Sequence, residues 1–380
     1  MANIRTVVLE GDPSQVGLAH GKALAGDIRR TIEHAHRHVF RRVGPARGLG
    51  LRMVALALAL AMNRHIPPHL RCEMMGIAKG SGVGYLDLLL INALDDVLNI
   101  LRRLAPRVPS LACSSFALFG DRCAGGLLMH GRNLDYHFRN TPLDDGGQVA
   151  RLMLRESLLF VYRPVGRAAF VAVGWPGLVG VTTAINERGI SLGNHTSYLQ
   201  GTTPNGIPTG ILYRLAMEES ATLADVGRLL RRSPRTIGNN LVVGSGRENR
   251  ANLFEITRDT VVEIAPNDGL VVATNHFVSP ALAQKQRPYL LPHSVARWKR
   301  LLAQCDRRGL GVREALDLLG DAEVREKAGS GSPFARIANE GTAVSVLFRP
   351  AEMVLWIGRA TEPPASRGEF LPIDAGALLG

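Results

Sequence analysis

Between Ser14 and Val39 apolar residues fall at helical intervals, including Val16, Ala19, Leu24, Ile28 and Ile32, and this spacing predicts a helix. Pro67 and Pro68 interrupt the helical texture, and it resumes from Asp87 to Leu101. Met53–Met62 is the most apolar run. It predicts a buried helix and is too short to span a bilayer. Thr6–Glu10 predicts a short strand, and Arg102–Ser110, with Pro106 and Pro109, predicts an exposed linker.

Beyond that linker the texture changes to strands. Ser114–Leu118 and Gly126–His130 predict a hairpin. Gln148–Leu154, Leu158–Tyr162 and Ala168–Val173 read as short strands, and Val179–Ile185 and Ile190–Asn194 flank the turn Asn186-Glu187-Arg188-Gly189. Two helices follow, over 210–219 and 222–232, the second opening on a Thr222/Asp225 capping pattern. Strands return at Asn240–Gly244, Asn252–Thr257, Thr260–Ile264 and Leu270–Thr274. Helices over Ser294–Cys305 and Val312–Leu319 precede a last hairpin, Thr342–Phe348 with Glu352–Gly358. Strand runs, a helix pair, more strand runs and terminal helices predict an α+β fold with helices covering sheet faces.

Composition narrows the class. With 46% hydrophobic and 21% charged residues the chain suits a globular protein. The net charge of +12 is spread thinly and rich in arginine, with no basic block, so a nucleic-acid partner is not expected. Four cysteines, Cys72, Cys113, Cys123 and Cys305, lack zinc-site spacing and are too few for a disulfide scaffold. Reduced thiols and a start without a signal-peptide pattern predict a cytoplasmic protein with no membrane span.

One short region concentrates the chemistry. Cys113 stands in Leu111-Ala112-Cys113-Ser114-Ser115-Phe116, and a glycine-bearing turn leads to His130-Gly131-Arg132-Asn133-Leu134-Asp135. By residue type alone a buried structural cysteine is the commoner role, and Arg132 with Asp135 could be a surface ion pair. Strict alternation puts 132 and 135 on opposite faces, so both reach one site only if the strand ends or bends near Asn133. Asn194 and Asn275 each end a predicted strand, and Arg297 lies on a predicted helix with Arg300 on its side.

Together these segments resemble the N-terminal-nucleophile hydrolases of the choloylglycine hydrolase and acid ceramidase group. They are most similar to the peptidase C45 branch, the acyl-CoA:6-aminopenicillanate acyltransferase-like proteins. The resemblance also rests on Gly17-Leu18-Ala19-His20-Gly21, Met75–Gly82, Ile91-Asn92-Ala93, Ala273-Thr274-Asn275-His276-Phe277 and the last hairpin. It implies a four-layer αββα sandwich at 113–380, preceded by a helical pro-segment at 1–112 that stays bound as a small subunit. It implies self-cleavage between Ala112 and Cys113, freeing an α-amine beside the thiol. In this resemblance Cys113 is the nucleophile, Arg132 its neighbouring guanidinium and Asp135 the carboxylate orienting the amine. Asn194 and Asn275 line the oxyanion region, and Arg297 is the distal arginine. The substrate class is a small acyl-amine, and no cofactor or metal is expected. A non-catalytic ligand-binding protein on the same scaffold is the alternative.

Overall fold

The computed structural model describes residues 4–41, 44–102, 110–137, 147–199, 201–286, 291–323 and 335–380. Most of the predicted linker, 103–109, lies outside the described residues. An eight-stranded sheet runs in the order β1 (Thr6–Gly11), β4 (Leu158–Pro164), β5 (Phe170–Gly174), β6 (Thr183–Asn186), β7 (Ile190–Thr196), β8 (Asn239–Ser245), β9 (Arg250–Ile256), β10 (Val261–Ile264). A six-stranded sheet runs β11 (Leu270–Ala273), β2 (Ser110–Leu118), β3 (Met129–His137), β12 (Thr342–Arg349), β13 (Val354–Arg359), β14 (Glu369–Asp374). Neighbours are antiparallel except β1, which lies parallel to β4 from Thr6 opposite Leu159 to Gly11 opposite Pro164.

The four layers follow from where alternate side chains go. On β4, Phe160 and Tyr162 pack against helices, while Leu159 and Val161 face the second sheet. A strand buried on both faces reads as a continuous apolar run, which is what Leu158–Tyr162 is. The outer helices on that side include α1 (Pro13–Ala23), α2 (Ala25–Ala35), α4 (Pro68–Ser81), α5 (Tyr85–Asn92), α6 (Leu94–Leu101), α8 (Thr209–Glu219) and α9 (Leu223–Arg232). Between the sheets, Cys113, Leu134 and Val346 meet Leu159, Val161 and Val171. On the far side, Phe116, Leu118 and Leu347 are covered by α11 (Leu291–Cys305) and α12 (Val312–Leu319). The expected α+β, αββα architecture is present, and Thr222 and Asp225 form the capping box at the start of α9.

Two glycine motifs explain how the N-terminal helices sit. A Cβ on Gly17 would stand 2.0 Å from the Glu73 carbonyl, and one on Gly76 would stand 2.8 Å from the Ser14 carbonyl. Helices α1 and α4 therefore touch backbone to backbone, a contact that larger residues would force apart. Beside this contact Arg214 of α8 bonds Glu218 (2.6 Å) and Glu73 of α4 (3.1 Å) and stacks over Tyr162. Burial pushes Glu73 up to about 7, because the one guanidinium between two carboxylates does not offset its desolvation.

Several predicted elements differ. Gln148–Leu154 is not a strand but α7 (Gln148–Arg155). Val149, Leu152 and Met153 satisfy i, i+3, i+4 as well as a loose alternation, and the short window does not separate the two periods. Of the expected 179–185 strand only the end pairs, in β6 from Thr183 to Asn186. The helix predicted over 14–39 breaks at Leu24, and its last turn, His36–Phe40, is a π-helix. The run predicted to be a buried helix belongs to α3 (Pro45–Asn63), which is long and apolar enough to cross a membrane. It buries Gly48, Ala55, Ala59 and Met62 and leaves Leu49, Met53, Val54 and Leu60 exposed. An all-round apolar pattern has no polar face to mark which side turns outward.

Candidate functional site

The β2–β3 hairpin brings the sequence-selected residues together. Cys113 on β2 pairs with Leu134 on β3, Ser115 with Arg132, and Ala112 with Asp135. Asn194 comes from β7, Asn275 from the residues just after β11, and Arg297 from α11. All six candidate side chains are buried.

Asn275 is the hub. Its Oδ1 accepts the main-chain N–H of Cys113 at 2.7 Å and Arg297 Nη2 at 2.9 Å, and its Nδ2 donates to the Thr196 carbonyl at 2.9 Å. Two donors on one side and an acceptor on the other fix the amide orientation. One N–H of the amide is thus engaged and the second remains for the oxyanion region where Asn275 is expected, while its Oδ1 clamps the Cys113 nitrogen. Asn194 has more slack. Its carbonyl and its Oδ1 (3.1 Å) accept from Arg132, while its Nδ2 makes one long bond, 3.4 Å, to Asn239. Gly193 makes room for this crossing guanidinium, since a Cβ there would stand 2.9 Å from Arg132 Cδ.

Arg297 is no solvated helix charge. Its Nη1 donates to the Cys113 carbonyl and, at 2.9 Å, to Ser114 Oγ. Ser114 was not singled out in the sequence. Strand alternation turns it away from the Cys113 side chain and toward α11.

Asp135 also follows alternation. Strand β3 continues through Asn133, with a register shift of its partner β12 opposite Leu134 and Asp135, and Asp135 faces away from Arg132. Its carboxylate accepts from Thr342 Oγ1 (2.8 Å) and Asn339 Nδ2 (2.9 Å), two residues the sequence reading missed. The turn residues Asn339 and Gly341 were the available signal. Asp135 lies beside the Ala112–Cys113 peptide bond, and its main-chain N–H reaches the thiol. Burial lifts the Asp135 carboxyl to about 6 against the pull of Arg297 and of its two donors. Burial likewise pushes the Cys113 thiol up to about 11, with Arg132 and Arg297 opposing. Two guanidiniums and one carboxylate leave an excess of positive charge around Cys113, a field that favours developing negative charge. Cys123 packs with Cys305 in the outer layer, not with Cys113.

Cys113 and Asn194 open on a cavity of about 220 Å³. Its walls are mainly apolar, with Leu134, Tyr136, Trp175 and Leu178 joined by Leu94 and Leu98 of α6. The N-terminal segment shapes this cavity in a second way. Asn92 donates to the Gly177 carbonyl (2.9 Å) and accepts from the N–H groups of Val179 (2.8 Å) and Gly180 (3.3 Å). His20 accepts the Gly177 N–H at 3.0 Å, and burial holds its imidazole neutral, at about 3. Both residues come from N-terminal motifs, and both hold the loop carrying Trp175 and Leu178. Asn92→Ala strips partners from two buried backbone groups and a part-buried one and should cost on the order of 3 kcal/mol. Hydrogen exchange at 177–180 should quicken. If both stability and exchange stay at wild-type values, the loop is held by other contacts. Among the described residues no group of three or more His, Cys, Asp or Glu is placed to hold a metal.

Residues 149–360 match the profile of a family described as acyl-coenzyme A:6-aminopenicillanic acid acyl-transferase. An uncharacterized protein of Archaeoglobus fulgidus is 24% identical over 311 residues, 72% of this chain and 50% of that protein. The chain thus spans half the length of that relative. The 40 kDa form of acyl-coenzyme A:6-aminopenicillanic-acid-acyltransferase from Emericella nidulans is 23% identical over 323 residues, 83% of this chain and 81% of that protein. Among solved structures, an N-acylethanolamine-hydrolyzing acid amidase ortholog of Caenorhabditis elegans matches with a TM-score of 0.45. Its identity is 16%, and the match covers 63% of this chain and 93% of that one.

Proposed function

The chain belongs to the acyl-coenzyme A:6-aminopenicillanic acid acyl-transferase family, and from that premise we propose that it is a self-processing cysteine N-terminal-nucleophile enzyme. It acts on an amide bond of a small molecule or small peptide, as an amidohydrolase or an acyltransferase. The observation that carries this reading is the double hold on Cys113. Asn275 binds its nitrogen at 2.7 Å and Arg297 its carbonyl, at the wall of an apolar cavity.

Maturation begins when the thiol attacks the Ala112 carbonyl and the acyl group shifts from nitrogen to sulfur. Water hydrolyses the thioester, leaving a carboxylate on Ala112 and an α-amine on Cys113. Asn275 Oδ1 is already placed to keep that nitrogen beside the thiol. An α-amine titrates at about 7.7–8.0, so it serves as a base near neutral pH. It takes the thiol proton as sulfur attacks the substrate carbonyl. The loosely held Nδ2 of Asn194 is one side-chain donor for the oxyanion, and the second N–H of Asn275 is another. The amine product leaves with the proton, and water or a second amine takes the acyl group from sulfur.

The cut divides the chain into 1–112 and 113–380. The small fragment stays bound as a subunit, because β1 is part of the sheet and Glu73 faces Arg214. The apolar walls suit an apolar acyl chain.

Trapping tests the reading. After brief exposure to N-acyl amines and acid quench, the peptide beginning at Cys113 should gain the mass of the acyl group. A ligand-binding protein on this scaffold would give neither adduct nor released amine. That result with every acyl amine tried overturns the proposal.

A further inference from the structure

Two adjacent carboxylates of α6, Asp95 and Asp96, line the cavity with Cys113, and they are not equivalent. Asp96 is spent on structure. Its Oδ1 accepts from Thr209 Oγ1 (2.9 Å) and Thr236 Oγ1, and both its oxygens accept the Thr209 N–H at 3.1 Å. Those bonds pin α6 to the start of α8. Among the described residues Asp95 accepts a single hydrogen bond, from Thr196 Oγ1 to Oδ2 at 3.1 Å. Thr196 lies two residues beyond Asn194 on β7, so the two side chains share one strand face and both line the cavity. Asp95 therefore stands on the same wall as the Cys113–Asn194 pair, is partly exposed there, and among the described residues nothing bonds its Oδ1. Arg102 is on the cavity wall too, but its guanidinium lies over the Tyr198 ring, 3.8 Å from the centroid.

Resting on the proposed amide chemistry, we propose that Asp95 is a specificity residue for a substrate whose amine portion carries a second, positively charged nitrogen. The chemical class is an N-acylated diamine or polyamine, with its acyl chain on the apolar walls and its ammonium at Asp95 Oδ1. Burial raises Asp95 to about 6, with Thr196 and Arg102 opposing, so at neutral pH the carboxylate is ionised. A desolvated anion with an open oxygen gains from a charged donor and not from a neutral or anionic one.

The test is direct binding, so it does not depend on turnover. The full-length Cys113→Ala chain is titrated calorimetrically with N-octanoylputrescine, N-octanoylethanolamine and N-octanoylglycine. The putrescine amide should bind at least about tenfold tighter than the ethanolamide, as a hydrogen bond to a charged group implies. In Cys113→Ala/Asp95→Asn, which keeps the Thr196 bond and the side-chain shape, that preference should collapse toward unity. Equal affinities in the first chain, a preference that survives Asp95→Asn, or binding of none of the three each overturn the proposal. Kinetics on the unsubstituted protein separate the two readings. A putrescine preference in binding without turnover of any amide removes the enzymatic reading and leaves the cationic site.

Discussion

Wild-type protein should convert to two fragments of about 12 and about 29 kDa, scaling the 41.0 kDa chain by residue number, while Cys113→Ala stays whole. The cut needs a nucleophile at 113 and a scissile bond whose leaving nitrogen is held still. Ala112 and Cys113 lie inside paired strand, the Cys113 nitrogen and carbonyl are each clamped, and Asp135 sits across from Ala112. Substrate turnover by Cys113→Ala should fall by about 10⁴-fold or more, as when a nucleophile that acts as part of a unit is removed. Intact mass and a single amine-release assay read both results. A wild-type protein that stays in one piece and still turns over acyl amines would end the self-processing claim.

Arg297→Met should carry the second-largest effect. Arg297 touches the Cys113 carbonyl, Ser114 and Asn275 together. Its loss leaves those acceptors short of donors and removes a cation from beside Asp135, a change typically costing about 3–5 kcal/mol at a buried pair. Arg297→Lys should rescue little, because one ammonium cannot reproduce a two-nitrogen fork. The acid side of the activity profile should also move. Burial raises the Asp135 carboxyl to about 6 and Arg297 is the leading influence against it, so in Arg297→Met it climbs further. A carboxyl raised in the folded state adds stability below its unfolded value near 3.8, and that stability is lost as pH rises through the folded value. Arg297→Met should therefore extend this loss to higher pH and delay the onset of activity that needs ionised Asp135. An unchanged acid limb would remove the coupling between the two residues.

How far the sequence could be read depended on how local each signal was. The hairpin around Cys113, the capped helix α9 and the β12–β13 ribbon each carry their pattern within a few residues and they form, although the hairpin's second strand runs Met129–His137 and not Gly126–His130. The site residues were legible through motif resemblance. Their partners were not: Asn339 and Thr342 come from a distant segment, and Ser114 and Thr196, though on the strands of Cys113 and Asn194, meet Arg297 and Asn275 only through the packed layers. Alternation anticipated that Arg132 and Asp135 point apart. What it could not supply was that one site can use both faces of a strand, the thiol on one side and the peptide bond's neighbour on the other. The errors at Gln148–Arg155 and α3 share another cause. In each, apolar residues satisfy two periods or all directions, and tertiary contacts decide.

The parallel pairing of β1 with β4 has a consequence for refolding. It joins residues 6–11 to 159–164, on opposite sides of the 112–113 bond. In the intact chain this pairing is a slow, long-range but unimolecular step. Once the bond is broken, the same pairing joins two molecules. The melting temperature of the matured protein should then depend on its concentration, and recovery after denaturation should follow second-order kinetics. Maturation would exchange an equilibrium that the chain can reach alone for a persistence set by the rate of separation.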